Sequence, residues 1–249
     1  MSKDDFFTPS NLVTGVTEED YRNAGLRLEG LRAMERLSNR KFYVIDYFRK
    51  TFLYVSEGFA DFCGLPREYI KRLGFDLYVK HVPEDDLRML LEINRQQFKL
   101  LGSFTPDDAE EYKICCDFCF ECHGHRQIIY HQLTPFAMKD GRVWLALCSA
   151  SMSSSTNSGN VVIVKGDSSI CYDFNLCTKN WKDKRKIRLS RMERDVIMLS
   201  ACGMTVQGIS QYLCRSLDAV KSCKRKLFKK LCVKSISEAI TYAMNHHLL

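Results

Sequence analysis

The sequence predicts an α+β fold in two parts, an N-terminal antiparallel sheet with helices and a C-terminal all-α bundle of four short helices. Runs rich in aromatic and β-branched residues, such as 42–47 and 51–56, indicate the sheet. Apolar residues at helical spacing from residue 189 onward indicate the bundle. Charge separates the same two parts, because residues 179–249 hold 16 Lys and Arg against 5 Asp and Glu, whereas the whole chain has a net charge of +7.

A long amphipathic helix is predicted at residues 18–37, ahead of the first strand. Thr17 is a suitable N-cap, and the first turn holds Glu18, Glu19 and Asp20, which favour the positive end of the helix dipole. Tyr21, Leu28 and Leu31, with Met34 or Glu35, recur near one face. We expect this helix to cover the sheet or to form a dimer.

Two strands, several helices and three strands follow one another over residues 40–150. The helices are predicted around 57–63, 67–73 and 84–98, and the last three strands at about 112–122, 126–138 and 142–149. This order resembles a PAS domain, as do the segments 54–56, 59–65, 82–85 and 140–142. The resemblance implies an antiparallel five-stranded sheet with helices over one face, able to dimerise and sometimes to hold a small ligand.

The sequence does not identify a cofactor for this domain, so its cofactor is unknown. The reactive-cysteine motif of flavin photoreceptor PAS domains is absent, and Cys63 is expected to be a small buried apolar residue. His81 and His131 are the histidines that stand far enough from turns and termini to bind a haem iron, but ordinary surface or strand positions are the more common environment.

A linker is predicted between the two parts. Ser-rich residues 149–159 have the composition of a flexible segment, and residues 161–164 and 170–174 flank Lys165-Gly166-Asp167 as a hairpin. A cationic connector, residues 175–188, follows. The predicted organisation is therefore a helical segment at 1–39, a PAS-like domain at 40–150, a linker at 151–186 and a four-helix domain at 187–249.

The third helix of the C-terminal bundle, predicted at residues 216–231, has two unlike sides. Val220, Leu227 and Leu231 form an apolar stripe, and the rest of the surface carries six cations, which are Lys221, Lys224, Arg225, Lys226, Lys229 and Lys230. The first helix of the bundle, with Ser190 as N-cap and Glu193 completing a capping box, ends at Gly203. A helix at 205–213 follows it, Ser216 is the N-cap of the third helix, and the fourth helix is at 236–248. A two-residue link, Cys214-Arg215, joins the second and third helices, which is typical of a helix-turn-helix.

The bundle resembles the LuxR/FixJ-type DNA-binding domain of bacterial transcription regulators. The matching positions are 189–197, 203–205, Ile209, Leu213, Ser216, Val220-Lys221, Leu227-Phe228, Lys230-Leu231 and 237–239. The resemblance implies that the third helix enters the major groove, usually as part of a dimer on a two-fold site. By position, Lys221 would contact phosphate, and Ser222 and Arg225 would face base edges. Further candidate DNA-binding residues are Thr205, Ser216, Lys224, Lys226 and Lys229. Ala219 and Cys223 depart from the family pattern.

We therefore predict a sequence-specific, DNA-binding transcription regulator, not an enzyme, controlled by a PAS-like sensory or dimerisation domain. Its expected partners are double-stranded DNA and a second copy of the chain, and a small ligand in the PAS-like domain is left open. We expect a cytoplasmic protein without membrane contact, because a secretory signal and an apolar run of about 18 residues are both absent.

The competing hypothesis is a metal-binding redox sensor or enzyme that uses residues 115–125, where four thiols and two imidazoles fall close together. Strand geometry opposes a metal site, because residues three apart, such as Cys119 and Cys122, point to opposite faces. His123-Gly124-His125 is better interpreted as a hairpin turn, so neither metal ligands nor catalytic residues are predicted. A third hypothesis is a PAS scaffold that binds another protein and no small ligand.

Overall fold

The computed structural model describes residues 1–38, 40–166 and 171–249. The chain divides into two compact units, residues 1–151 with 157–184, and residues 152–156 with 185–249. The helices of the first unit are a short 3-10 helix Lys3–Phe6, α1 (Glu18–Leu37), α2 (Glu57–Cys63), α3 (Arg67–Leu73), α4 (Asp76–His81), α5 (Glu84–Leu101) and α6 (Pro106–Glu110). Its strands are β1 (Phe42–Asp46), β2 (Thr51–Val55), β3 (Tyr112–Cys122), β4 (His125–Lys139), β5 (Arg142–Met152), β6 (Val161–Lys165), β7 (Cys171–Asn175) and β8 (Asn180–Asp183).

The strands form one sheet in the order β2-β1-β5-β4-β3-β6-β7-β8. The first five strands of this order are those that the PAS resemblance implies, but the predicted total of five is wrong. The hairpin that the sequence placed in a linker instead extends the sheet, with β6 antiparallel to β3 from Tyr112↔Lys165 to Cys116↔Val161. Without β6, the long strand β3 would present an open row of backbone donors and acceptors. Asp167 and Ile170 of the predicted hairpin lie outside the described residues.

The core of the first unit lies between the sheet and its helices. Alternate residues of the central strands face this layer, which is why Ile114, Phe118 and Leu145 are buried. Helix α5 adds Leu87, Leu90, Ile93 and Phe98 from one face. Pro83 stands at the N-cap of this helix, and Glu84, Asp85 and Asp86 in its first turn favour the positive end of the helix dipole.

Residues 3–13, here called the N-terminal strap, pack against the helical layer. The side chain of Phe6 is buried, with its ring centroid 5.4 Å from those of Phe75 and Tyr78. The backbone carbonyl of Phe6 accepts hydrogen bonds from the side-chain amides of Asn11 (2.9 Å) and Asn94 (2.7 Å), both of which are buried. The strap is thus held by apolar packing and by two hydrogen bonds shielded from water.

Helix α1 has the predicted bounds and the predicted Thr17 cap, with Asp20 completing a capping box. Its inner face packs on the sheet, and the Tyr21 hydroxyl donates to Asp46 at 2.6 Å. Met34 is half exposed rather than inward-facing, because Glu35 takes the inner position and accepts a hydrogen bond from the Tyr54 hydroxyl.

The second unit contains α7 (Arg191–Ala201), α8 (Val206–Tyr212), α9 (Leu217–Leu231) and α10 (Ile236–Asn245). Its core has two clusters, both of which include residues of α9. Leu227 and Leu231 pack with residues of α7 and α10, whereas Val220 and Cys223 pack with residues of α7 and α8. Within the described residues, no helix is both long enough and apolar enough to cross a bilayer.

Candidate nucleic-acid interface and sensor cavity

Each helix of the second unit begins at a hydroxyl N-cap, so the ends of the bundle are fixed locally by the sequence. Ser190 Oγ accepts from Glu193 N, and the Glu193 carboxylate accepts from Ser190 N, which is the predicted capping box. Ser235 caps α10 in the same way, by accepting from Glu238 N at 3.1 Å. Gly203, with φ +81°, follows α7 in the left-handed conformation that glycine favours.

A tight turn sets the position of α9 relative to α8. The hydroxyl of Ser210 donates to the carbonyl of Arg215 at 2.6 Å, and Arg215 N donates to the carbonyl of Ser210 at 3.0 Å. Cys214 adopts φ +50°, which turns the chain between the two helices. The pair of helices has the form of a helix-turn-helix, as the sequence predicts.

Helix α9 separates an apolar face from a cationic one. Val220, Leu227 and Leu231 are buried as predicted, and Cys223 joins them. At 100° per residue, Lys221, Arg225 and Lys229 form one row on the opposite side, and Ser222 and Lys226 form the adjacent row. Lys221, Arg225, Lys226 and Lys229 are exposed, whereas Ser222 and Lys224 are half-buried. One side of α9 therefore holds the bundle together and the other is open to a ligand.

The cations of this open face are not neutralised by the protein. Within the described part of the chain, no ion pair involves Lys221, Lys224, Arg225, Lys226 or Lys229. Lys230 differs, because its ammonium lies 2.8 Å from the Glu193 carboxylate. Burial raises the pKa of Glu193, but hydrogen bonds from Lys230 and Ser190 outweigh burial and hold that pKa below its usual value. The Lys230 ion pair joins α9 to α7 and was not predicted from the sequence.

Thr205 and Ser216 are the helix N-caps of the helix-turn-helix. Thr205 Oγ1 accepts from Gly208 N at 3.1 Å, and Ser216 Oγ accepts from Ala219 N at 3.2 Å. A hydroxyl that accepts one hydrogen bond still has its own hydrogen to donate. Both residues are exposed, so each can cap its helix and also contact a bound phosphate.

The first unit contains a cavity of about 40 Å³ between the sheet and the helical layer. Its lining is mostly aromatic and aliphatic, with polar side chains at Asn94, Gln97 and His131. A water molecule needs about 10–15 Å³ measured in this way, so the cavity has room for a few waters but not for a haem or a flavin. The Phe6 side chain of the N-terminal strap forms part of the wall.

His131 is the one of the two candidate haem ligands that reaches this cavity. Its Nε2 lies 2.8 Å from the Tyr43 hydroxyl, and the Tyr43 hydroxyl is also hydrogen-bonded to the Tyr78 hydroxyl. Burial lowers the pKa of His131 to about 4, so the imidazole is neutral at pH 7. His81 lies elsewhere, with Nδ1 3.2 Å from the carbonyl of Glu121.

The thiols and imidazoles of residues 115–125 are spread over the β3–β4 hairpin. Cys115 and Cys116 are buried, and His123 and Gly124 form a two-residue turn in which both φ angles are positive. His123 Nε2 lies 3.0 Å from the carbonyl of Asp61, and its ring packs over Gly64. Within the described residues, no group of three or more His, Cys, Asp or Glu side chains could hold a metal ion. The Cys122 side chain lies outside the described part of the structure.

The sequence of the second unit matches one protein-family model, that of the bacterial regulatory proteins of the luxR family, over residues 188–243. These residues form a LuxR-family domain. The match includes the helix-turn-helix and all six cations of α9. The resemblance seen in the sequence is thereby confirmed for this part of the chain.

Solved structures give weaker similarities to the whole chain, and no curated protein matches it. A Vibrio cholerae VqmA dimer, described as a LuxR-type receptor without its target DNA, has 15% identity and a TM-score of 0.34 over 89% of this chain and 88% of that chain. A complex of V. cholerae VqmA with ligand and DNA has 16% identity and a TM-score of 0.34 over 89% of both chains. The PAS domain of Bordetella pertussis BvgS has 13% identity and a TM-score of 0.33 over 51% of this chain and 84% of that chain. These similarities are too low to assign a ligand or a partner to this chain.

Proposed function

We propose that this protein is a DNA-binding transcription regulator in which a PAS-like domain controls a LuxR-family domain. The cationic face of α9 carries the proposal, since it is exposed and without internal counter-charges while the opposite face is fully packed. A helix with such a face fits the major groove of B-form DNA, which is wide enough to admit it. Neither a catalytic residue nor a metal site enters the proposal, and the regulator acts in the cytoplasm.

The contacts divide into those that position the helix and those that discriminate sequence. Lys221, in the first turns of α9, binds phosphate. Further phosphate contacts come from Lys224, Lys226 and Lys229 and from the capping residues Thr205 and Ser216. Arg225, one turn along, donates in a bidentate manner to a guanine, and Ser222 faces a neighbouring base edge. A bidentate arginine–guanine contact contributes about 1–3 kcal/mol of discrimination against the wrong base.

We infer that the regulator binds DNA as a homodimer through helix α1. Leu26, Gly30, Ala33 and Leu37 lie on its outer side at spacings of four, three and four residues, which is the pattern of a helix–helix seam. All four are exposed, with Leu26 at 78% and Leu37 at 89% of full exposure. A second copy of α1 would cover these side chains and set two LuxR domains at a spacing that matches two half-sites.

The small ligand left open by the sequence would bind in the cavity of the first unit. Aromatic walls with three converging polar side chains are typical of a site for a small organic molecule. Anything larger than a few waters would need the wall of the cavity to open. Because Phe6 of the N-terminal strap belongs to that wall, we infer that ligand binding and movement of the strap are coupled.

A salt titration of DNA binding tests the proposal. Lys221→Ala should reduce the affinity for all sequences and flatten the slope of log K against log salt by about 1.8 for the dimer, because one phosphate contact is lost per chain. Arg225→Ala should also reduce the preference for the target over other duplexes by about tenfold. Lys80→Ala, an exposed cation of the first unit, is the control and should bind as wild type. Binding that is absent, or insensitive to salt, would refute the proposal.

A further inference from the structure

Residues 185–188, Arg-Lys-Ile-Arg, are here called the basic arm, and they precede the first helix of the LuxR domain. The arm has no regular secondary structure, and Arg185 and Arg188 are exposed. Ile187 is partly buried against the core cluster that contains Leu227 and Leu231 of α9. The arm is therefore attached to the LuxR domain through the Ile187 side chain.

The arm meets the domain beside the C-terminal end of α9. One carboxylate oxygen of Glu193 accepts both the backbone N–H of Ser190, at 2.7 Å, and the ammonium of Lys230, at 2.8 Å. Ser190 is two residues beyond Arg188, and Lys230 is next to Lys229 of the open cationic row. This shared oxygen places Ser190, two residues beyond the arm, beside the Lys230 ammonium of the last turn of α9, the turn that also holds the exposed Lys229.

Charge on the arm is also uncompensated. No acidic residue occurs between Lys184 and Met192. Asp183, two residues before Arg185, ends β8 of the first unit, and Glu193, five residues after Arg188, is already engaged by Lys230 and Ser190. In the described ranges, no ion pair or side-chain hydrogen bond involves Arg185, Lys186 or Arg188, unlike Lys184, which is paired with Asp173 at 2.8 Å. The arm therefore resembles the open face of α9 in having cations free for an external anion.

We propose that the basic arm is a second DNA contact, in which Arg185 and Arg188 bind phosphates that flank the groove occupied by α9. This inference rests on the proposed function. Arg185 lies five residues before Ser190, a span of up to about 17 Å in extended chain, so the two guanidiniums can reach separate phosphates. Guanidinium groups suit this role because their planar donors match phosphate oxygens.

The test is binding of the full-length protein to a mixed-sequence duplex long enough for two half-sites, measured over a series of salt concentrations. Arg185→Gln with Arg188→Gln should lower the slope of log K against log salt by about 3.6, since two phosphate contacts are lost per chain and four per dimer. The loss should be equal for target and non-target duplexes. Arg185→Lys with Arg188→Lys keeps both charges and should retain most of the slope.

Two comparisons make the result decisive. Lys80→Gln with Lys99→Gln removes the same charge from exposed positions of the first unit and should leave the slope unchanged. If the α9 variants weaken binding while the arm variant keeps the wild-type slope, the arm proposal is wrong and the proposed function stands. If wild type itself does not bind DNA, the proposed function fails and the arm proposal fails with it.

Discussion

His131 lines the cavity of the first unit and also affects the stability of that unit. Its ring is enclosed by Tyr43, Cys116 and Phe118, and burial alone lowers its pKa to about 4. The sequence placed His131 in a strand but could not show that it faces the core. The direction of the His131 side chain depends on the register of β4 against β3, in which Cys116 is opposite His131.

Acid should therefore destabilise this protein through His131. The unfolded chain binds a proton near pH 6.5 and the folded one only near pH 4, so stability is fully present above pH 6.5 and is lost as the pH falls towards 4. Between pH 7 and pH 5 we expect a loss of about 2 kcal/mol in the free energy of unfolding. Urea titrations at the two pH values measure it. His131→Gln should lose much less than wild type over the same interval, and an equal loss would contradict the assignment.

At the scale of elements, the sequence predicted the longer helices well but missed the short helices α4 and α6, and it predicted the sheet only in part. The N-caps Thr17, Ser190 and Ser216 act within three residues, so α1, α7 and α9 begin where the sequence predicts. The pairing of β6 with β3 joins residues about fifty positions apart, and no local pattern distinguishes it from an isolated hairpin. The Glu193–Lys230 ion pair was missed for the same reason.

The N-terminal strap should contribute measurably to stability. Asn94→Ala removes one of the two amides that donate to the carbonyl of Phe6 and leaves a small void in a buried site. We expect a loss of about 1–3 kcal/mol in the free energy of unfolding by urea denaturation. Arg95→Ala, next in sequence but largely exposed, should change it by less than about 1 kcal/mol. Comparable losses in the two variants would mean that the strap is not held as described.

For the whole molecule, the sequence predicted the two kinds of fold and the segregation of charge, but not the cavity of the first unit or the outer face of α1. Those features depend on how elements pack, which the spacing of residues within one element does not determine. Leu26 and Leu37 are examples: both are apolar, but the sheet packs against the other side of α1 and leaves them exposed.

The proposed dimer gives a prediction at this scale. Leu26→Glu with Leu37→Glu places two charges on the seam and should convert a dimer into a monomer in analytical ultracentrifugation, with weaker binding to a duplex that carries two half-sites. Lys80→Glu makes the same change in net charge at an exposed site of the first unit and should remain dimeric. A double variant that stays dimeric would place the interface elsewhere.

The most direct test of the central claim, that the cationic face of α9 reads DNA, is selection of bound duplexes from a random-sequence library by the full-length protein. The account predicts a two-fold symmetric site whose half-sites are separated by about one helical turn. It also predicts that Arg225→Ala relaxes one guanine position in each half-site while Lys80→Ala leaves the site unchanged. Recovery of no common sequence, or of the same sequence by the Arg225 variant with equal preference, would contradict it.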